Sequence, residues 1–199
     1  MNNEMNDNPF NDNIRIMVAT ADHVSYVSEI LHTIEESSKV RGTGIAKRSE
    51  DYVKQKMLEG KAIIALADGR FAGFCYIETW SNKSYICNSG LIVHPDFRGF
   101  HLATRIKHRS FRLSREKFPE AKCFSLTSGA AMLKINSDLG YRPVTFPELT
   151  LDDSFWNGCK GCVNHDILDR TDRRYCICTA MLFDPNDPHC HPHLKVIEE

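Results

Sequence analysis

The residues of this sequence best suited to chemistry lie where an apolar run gives way to a helical pattern. Ser89–Val93 has the length and β-branched content of a strand, and Pro95, which lacks a ladder N–H, ends it. Arg98 and Gly99 then lead into an amphipathic helix. Its apolar stripe consists of Leu102, Ile106, Phe111 and Leu113. Free backbone N–H groups and the positive end of the helix dipole meet at such a start, and Arg98 and Lys107 add charge, so we expect this loop to bind an anion.

The segment from Val93 to Ala103 resembles the pyrophosphate loop of the GCN5-related N-acetyltransferases, a family that uses acyl-CoA. The family loop is usually written Arg/Gln-x-x-Gly-x-Gly/Ala, and the run from Val93 to Gly99 (Val-His-Pro-Asp-Phe-Arg-Gly) matches the usual approach to it. His101 stands where the family usually has its second glycine. Leu139-Gly140-Tyr141 resembles the Leu-Gly-Phe end of the fourth family helix. A solvated basic helix after an ordinary β–α turn is the alternative interpretation.

The resemblance implies how an acyl-CoA would be held. In the family the central strand splays from its neighbour, so the backbone at Leu91, Ile92 and Val93 would bind the pantetheine arm and the thioester oxygen. The loop amides would bind the pyrophosphate; they belong to Arg98, Gly99, Phe100, His101, Leu102 and Ala103. Asn136 would hydrogen-bond the cofactor. Acetyl-CoA is the default donor, and succinyl-CoA competes with it.

The acid and the base of the reaction are less well marked. Family members often carry a glutamate early in the central strand, and Cys87 holds that place here. Many also use a tyrosine before the helix-ending glycine to protonate the thiolate; here Asn136 holds that place, and Tyr141 is the nearest tyrosine. Proton removal through ordered water, assisted by Glu78, is our hypothesis. The alternatives are that Glu78 is an ordinary strand-end carboxylate and that Cys87 is a nucleophile or a core residue.

A basic, glycine-containing loop bears on the acceptor. Lys39–Arg48 includes Arg41, Lys47 and Arg48, and such cations suit a substrate with carboxylates; a mobile, solvated loop is the alternative. The whole chain also resembles small stand-alone acyltransferases that act on glutamate in arginine biosynthesis. Glutamate presents one amine and two carboxylates, so it is the expected small-molecule amine substrate.

Four cysteines of the C-terminal part have spacings that suggest a structural zinc site. Cys159 and Cys162 lie on a glycine-containing turn, and Cys176 and Cys178 are expected to share one face of a strand. Free or redox-active thiols are the alternative. The motif His189-Cys190-His191-Pro192-His193 is interpreted as part of a disordered tail; adventitious metal binding is the alternative. No metal ligand is assigned.

The periodicities predict a mixed α/β (α+β) chain in the order β-α-α-β-β-β-α-β-α-β. This order fits the acetyltransferase fold, with a mixed, mostly antiparallel central sheet and helices on both faces. We expect a disordered leader at 1–13, one domain at 14–184 with a cysteine-containing insert at 147–174, and a flexible tail at 185–199. A last strand is expected at Tyr175–Phe183.

Bulk properties narrow the function classes. The chain has 199 residues and a formal net charge of -1, so nothing in its overall charge indicates nucleic-acid binding. Its apolar runs are too short to cross a membrane, and its polar N-terminus lacks a signal core, so we expect a cytoplasmic protein. A homodimer is compatible with this fold. The rival functions are a protein lysine or N-terminal acetyltransferase and a non-catalytic acyl-CoA sensor.

Overall fold

A computed structural model describes residues 13–41 and 48–192 of the chain. The strands are β1 (Ile14–Val18), β2 (Ala62–Ala67), β3 (Arg70–Trp80), β4 (Tyr85–Val93), β5 (Lys122–Thr127), β6 (Arg142–Val144) and β7 (Thr179–Phe183). The helices are α1 (Val27–Arg41), α2 (Glu50–Leu58), α3 (Leu102–Lys117), α4 (Ala130–Asp138), α5 (Asp153–Asn157) and α6 (His165–Arg170). Within the described residues the strands form one sheet in the order β1-β2-β3-β4-β5-β7-β6.

Every neighbouring pair in this sheet is antiparallel except β4 and β5, which run parallel. Helices cover both faces. Residues of α3 and α4 pack in one apolar cluster on one face, and residues of α1 and α2 pack in a second cluster on the other. The element order, the mostly antiparallel sheet and the helices on both faces confirm the fold predicted from the sequence.

The parallel pair β4–β5 opens into a fork. In the described part of the chain β4 pairs with β5 only at Tyr85–Lys122 and Ile86–Cys123. Beyond that point β4 continues to Val93 along β3, while β5 continues along β7. One edge of β4 therefore loses its strand partner from Cys87 onward, and its backbone N–H and C=O groups on that edge need other partners.

A bulge in β4 accompanies the fork. Tyr76 of β3 faces Ser89 and Phe74 faces Ile92, so Gly90 and Leu91 together oppose a single residue of β3. Gly90 has φ +63°, and a Cβ at this position would lie 2.6 Å from Cε1 of Tyr76. A side chain at this position would meet both a strained φ and the ring of Tyr76, so the bulge requires glycine.

The insert is helical and covers the sheet beside α2. Trp156, Leu168, Phe146 and Leu149 are buried in a third apolar cluster with Phe124 of β5 and Leu182 of β7. Trp156 donates from Nε1 to the carbonyl oxygen of Thr150 at 2.8 Å. The insert therefore forms a wall on the face of the sheet that also carries α1 and α2.

Two sequence expectations differ from the structure in this region. The last strand begins at Thr179 and not at Tyr175, so Cys176 and Cys178 precede β7 and do not lie on it. The reason is that Thr179 pairs with Thr127, the last residue of β5, and β5 offers no further partner. Residues 185–192, assigned above to a flexible tail, pack on the domain: Cys190 is buried, and Nε of Arg142 is 2.8 Å from a carboxylate oxygen of Asp187.

Among the described residues, the helices are all too short or too polar to serve as a membrane-spanning segment.

Candidate functional site

The loop between β4 and α3 has the form of an anion site. Gly99 has φ +86°, and a Cβ there would meet no atom within 4 Å, so the space above it is open. His101 occupies the N-cap of α3 with φ +57° and makes no side-chain capping hydrogen bond. The first-turn N–H groups of α3, including those of Leu102 and Ala103, have no partner within the helix, and the helix dipole adds positive potential. The loop can therefore receive a phosphate group.

The side chain of Arg98 has a different role from the simple added charge that the sequence suggests. Its Nε donates to the carbonyl oxygen of Val93 at 3.3 Å, and its NH2 group donates to Oγ of Ser37 at 2.9 Å. Arg98 thus ties the end of β4 to α1. It holds the loop in place, and its backbone N–H donates to the carbonyl oxygen of Pro95 at 3.3 Å, so this amide is not free to bind an anion.

The open edge of β4 connects this loop with the interior of the sheet. Ile92 and Val93 pair with β3 through their other edge, at Phe74 and Gly73. Backbone groups of successive strand residues point to opposite edges, and the N–H of His94 donates to the carbonyl oxygen of Ala72, so Ile92 shares this direction toward β3. Leu91 and Val93 therefore present backbone groups to the fork, where an extended chain could form hydrogen bonds like those of a strand.

A cavity of about 730 Å³ lies on the face of the sheet that carries α1 and α2. Its walls come from the start of α2, from β3 and from the insert. The aromatic lining residues are Tyr52, Tyr76, Trp80, Phe146 and Phe155. The charged lining residues are Arg48 and Glu78. Ser89 of β4 also lines it, so the cavity reaches the strand that borders the fork.

Glu78 is the one carboxylate that lines this cavity among the described residues, and it is half satisfied. Its Oε1 accepts from Nζ of Lys56 at 2.9 Å and from the backbone N–H of Thr79 at 3.1 Å. Its Oε2 is buried without a hydrogen-bond partner. Burial raises the pKa of Glu78 and lowers the pKa of Lys56, with which it forms the ion pair. A buried carboxylate with one unpartnered oxygen and a raised pKa is suited to accept a proton.

The predicted acceptor residues are only partly described. Arg48 lines the cavity, its Nε donates to the hydroxyl of Tyr76, and its guanidinium carbon lies 5.5 Å from the centre of that ring. Lys47 and the side chain of Arg41 lie outside the described residues. The structure brings Arg48 and Glu78 to one cavity. Lys39, assigned above to the basic loop, instead lies in α1, and its Nζ pairs with Oε1 of Glu36 at 2.7 Å.

On the other face of the sheet, Asn136 and Tyr141 lie near the end of α4. Asn136 is fully buried, and neither its Nδ2 nor its Oδ1 has a partner. Tyr141 is buried between Phe111 and Phe183, and its hydroxyl has no hydrogen-bond partner. Burial is the main reason that the pKa of Tyr141 is raised well above its ordinary value. Tyr141 does not line the cavity that contains Glu78.

A buried polar cluster around Lys107 was not assigned a site role from the sequence. Lys107 is 2% exposed, and its Nζ donates to Oδ1 of Asn88 at 2.9 Å. Nδ2 of Asn88 donates to Oγ of Ser114 at 2.8 Å. The signal was present: Lys107, Ser110 and Ser114 recur at helical spacing within the buried face of α3. From the sequence alone, Lys107 is expected only to add positive charge near the loop.

The four cysteines of the insert region line the cavity wall and are free thiols. Burial raises the pKa of Cys159 and raises that of Cys178 to about 11. Among the residues that the structure describes, no three Cys, His, Asp or Glu side chains are grouped so that they could hold a metal ion. Cys87 also has a pKa raised by burial, which disfavours the thiolate that a nucleophile needs.

Comparisons with solved structures identify the fold. The chain superposes on N-acetylglutamate synthase from Neisseria gonorrhoeae, solved with coenzyme A and N-acetyl-glutamate, with a TM-score of 0.60 and 15% identity, over 87% of this chain and 35% of that one. It therefore spans about a third of the length of that synthase.

Two further neighbours match over most of their length. A Mycobacterium tuberculosis protein solved with CoA has a TM-score of 0.60 and 14% identity, over 85% of this chain and 98% of that one. The acetyltransferase yncA of Salmonella typhimurium, solved with acetyl-CoA, has a TM-score of 0.58 and 14% identity, over 88% of this chain and 95% of that one. No protein-family model and no curated protein sequence matches the chain. The chain has the fold of the GCN5-related N-acetyltransferases.

Proposed function

We propose that this protein transfers an acyl group directly from an acyl-CoA to the amine of a small molecule. The observation that carries the proposal is the fork: the open edge of β4 runs from the anion loop at Gly99 to the part of the sheet that borders the Glu78 cavity. A long substrate with a phosphate end and a reactive end fits this arrangement, and an amine in the cavity would meet it at β4.

The chain's own groups fit an acyl-CoA at both ends. The open space above Gly99 and the first-turn amides of α3 would take the pyrophosphate, and the backbone at Leu91 and Val93 would pair with the pantetheine arm. The unpartnered amide of Asn136 offers a further donor and acceptor. Solved neighbours hold CoA or acetyl-CoA, which supports acetyl-CoA as the donor, with succinyl-CoA as its competitor.

Glu78 would act as the base. The nitrogen of an amine that attacks a thioester carbon must lose a proton to become an amide, and Oε2 of Glu78, which has no hydrogen-bond partner, would receive that proton, directly or through water. Lys56 holds the other oxygen and fixes the carboxylate in position. The raised pKa of Glu78 lies closer to neutral pH than the pKa of a solvated carboxylate, so Glu78 is the stronger base.

Glutamate is the acceptor that the basic loop favours. Arg48 contributes one cation at the cavity, and the loop before it supplies more charge in the sequence for the two carboxylates. The Neisseria neighbour, which was solved with N-acetyl-glutamate, adds support at the level of fold. An acylated glutamate would suit a role in arginine biosynthesis.

An apolar or aromatic amine is the second candidate acceptor, because the cavity is lined largely by rings. Tyr52 and Tyr76 meet edge to face at 5.8 Å between centroids, and Trp80 and Phe155 meet at 5.2 Å. Such a lining would bind the hydrocarbon body of an amine and would offer a carboxylate few partners.

The test is a competition among amines. The protein is incubated with acetyl-CoA and succinyl-CoA in equal amounts, together with glutamate, a small aromatic amine and a lysine-containing peptide, and the products are identified by mass. We expect one small amine to gain a single acyl group. Acylation of the peptide alone, or tight CoA binding without any product, would contradict the proposal and support the protein acetyltransferase or the sensor.

A further inference from the structure

The ammonium of Lys107 is buried at the point where the β4–β5 fork begins. Its electrostatic neighbours are three thiols from three strands: Cys75 of β3, Cys87 of β4 and Cys123 of β5. Cys123 belongs to the last pair of the β4–β5 ladder, opposite Ile86. Lys107 therefore lies under the apex of the fork, on the face that carries α3.

The surroundings of this ammonium are polar but contain no counter-charge. An ammonium has three donors, and the one hydrogen bond that Nζ makes in the described structure goes to Oδ1 of Asn88. No carboxylate of the described residues lies within ion-pair distance of it. The centroid of the Tyr141 ring lies 5.1 Å from Nζ of Lys107. An uncompensated buried cation is costly, so this position is suited to an anion that appears next to it.

The orientation of Lys107 is fixed by a chain of hydrogen bonds. Nδ2 of Asn88 donates to Oγ of Ser114, and the Ser114 hydroxyl donates to the carbonyl oxygen of Ser110 at 2.8 Å. Asn88 must therefore present its carbonyl oxygen to Lys107, and the ammonium is held at the fork instead of extending to solvent. Burial lowers the pKa of Lys107, which makes it a stronger proton donor than a solvated lysine.

The fork sets which end of an acyl-CoA would come near Lys107; this step rests on the proposed function. The anion loop follows Val93, at the open end of the fork, and Asn88 lies five residues back along β4, roughly 16 Å at about 3.3 Å per residue. A pyrophosphate fixed at the loop would direct the arm along the open edge, and the thioester would approach the apex.

We propose that Lys107 is the acid that protonates the departing thiolate of coenzyme A. The amine nitrogen forms its bond to the thioester carbon, the carbon–sulfur bond breaks, and the electron pair goes to sulfur. Nζ of Lys107 gives its proton to that sulfur and becomes neutral, while the proton of the amine goes to Glu78. After the products leave, Glu78 releases its proton to solvent and Lys107 regains one from solvent. This role replaces that of the family tyrosine, whose place Asn136 occupies.

The test compares two leaving groups in the full-length chain. Lys107→Met removes the proton donor, and acyl transfer is measured with acetyl-CoA and with the acetyl thioester of an electron-poor aryl thiol, whose thiolate leaves without protonation. We expect kcat with acetyl-CoA to fall about 100-fold and the rate with the aryl thioester to change little. Equal losses with both donors, or no loss with either, would overturn the proposal.

The control variant is Lys117→Met, which removes an exposed lysine from the same helix and should leave both rates unchanged. A second measurement needs no variant, in case Lys107→Met does not fold. In this measurement the wild-type protein is titrated calorimetrically with CoA in buffers of different ionisation enthalpy. We expect binding of CoA to release one proton, because its thiol and the ammonium of Lys107 would share a single proton. Binding of desulfo-CoA should release none.

The same proton count for CoA and desulfo-CoA would contradict the role of Lys107. Absence of wild-type turnover on every amine would contradict the proposed function instead, and the titration would still decide whether Lys107 meets the sulfur. The two failures are therefore distinguishable.

Discussion

At the scale of single residues, the reaction would depend on two buried ionisable groups on opposite faces of the sheet. Glu78 faces the acceptor cavity with one unsatisfied oxygen, and Lys107 lies under the apex of the fork with no carboxylate partner in the described structure. Burial raises the pKa of Glu78 and lowers the pKa of Lys107, which favours the neutral form of each side chain. Each is thus suited to one proton transfer: Glu78 to remove a proton and Lys107 to supply one.

Glu78→Gln should lower kcat about 100-fold with little change in CoA affinity, because glutamine keeps the shape but cannot accept the proton. Steady-state kinetics and calorimetric titration with CoA would measure the two effects. Glu50→Gln, which changes an exposed carboxylate at the start of α2, is the matched control and should behave like the wild type. An unchanged kcat in Glu78→Gln would exclude Glu78 as the base.

The pH dependence of kcat should be bell-shaped. The base works only when Glu78 is deprotonated, so activity should rise as pH increases through the raised pKa of that carboxyl group. The acid works only when Lys107 is protonated, so activity should fall as pH increases through the lowered pKa of that ammonium. Loss of the acid limb in Glu78→Gln and loss of the alkaline limb in Lys107→Met would assign the two limbs; limbs that persist in these variants would refute the assignment.

At the scale of secondary-structure elements, β4 organises the site. Its pairing with β5 ends at Ile86, a glycine bulge follows at Gly90, and the loop at its end starts α3 with unpaired first-turn amides. Both features depend on a glycine with positive φ, at positions 90 and 99. The loop and the open edge can therefore be tested separately.

Gly99→Asp should weaken CoA binding by at least about tenfold, because a carboxylate at this position would repel the pyrophosphate. Gly99→Ala is the matched control: it carries the same backbone strain, and its methyl group would enter open space. Calorimetric titration of both variants with CoA measures the difference. Equal affinities for the two variants would mean that the pyrophosphate does not lie at this loop.

Gly90→Ala should destabilise the fold by about 2 kcal/mol, because the new methyl group would lie 2.6 Å from the ring of Tyr76 at a strained φ. Urea denaturation gives the change in unfolding free energy. Activity should fall as well, since Tyr76 lines the cavity. Wild-type stability in this variant would show that the bulge does not need glycine.

At the scale of the whole molecule, the insert adds one wall of the cavity on the sheet face that carries α1 and α2. Trp156 anchors it: its ring stacks on Phe146 at 6.0 Å between centroids, and its N–H is bonded to Thr150. Trp156→Ala should cost about 3 kcal/mol of stability and raise KM for the amine more than the Kd for CoA. Thermal unfolding and kinetics measure both effects; an unchanged KM would mean that the insert is not part of the acceptor site.

The sequence predicted those parts of the molecule that local patterns encode. Strand and helix periodicities gave the element order, and the run from Val93 to Gly99 indicated the loop, because each is a contiguous segment. The expected strand at Tyr175–Phe183 was too long, since strand length depends on whether β5 offers a partner. The cluster of Lys107, Asn88 and Ser114 joins residues of two elements through tertiary packing, which no local pattern specifies.

The most direct test of the central claim is a single-turnover experiment with acetyl-CoA that carries a heavy-isotope acetyl group. The protein is kept in excess over this donor, the acceptor amine found in the competition is added, and the label is followed by mass in both the small molecule and the intact protein. Direct transfer predicts that the label moves to the amine as an equal amount of free CoA forms, with the protein mass unchanged. Label retained on the protein, for example at Cys87, or CoA formed without an acylated amine, would contradict it.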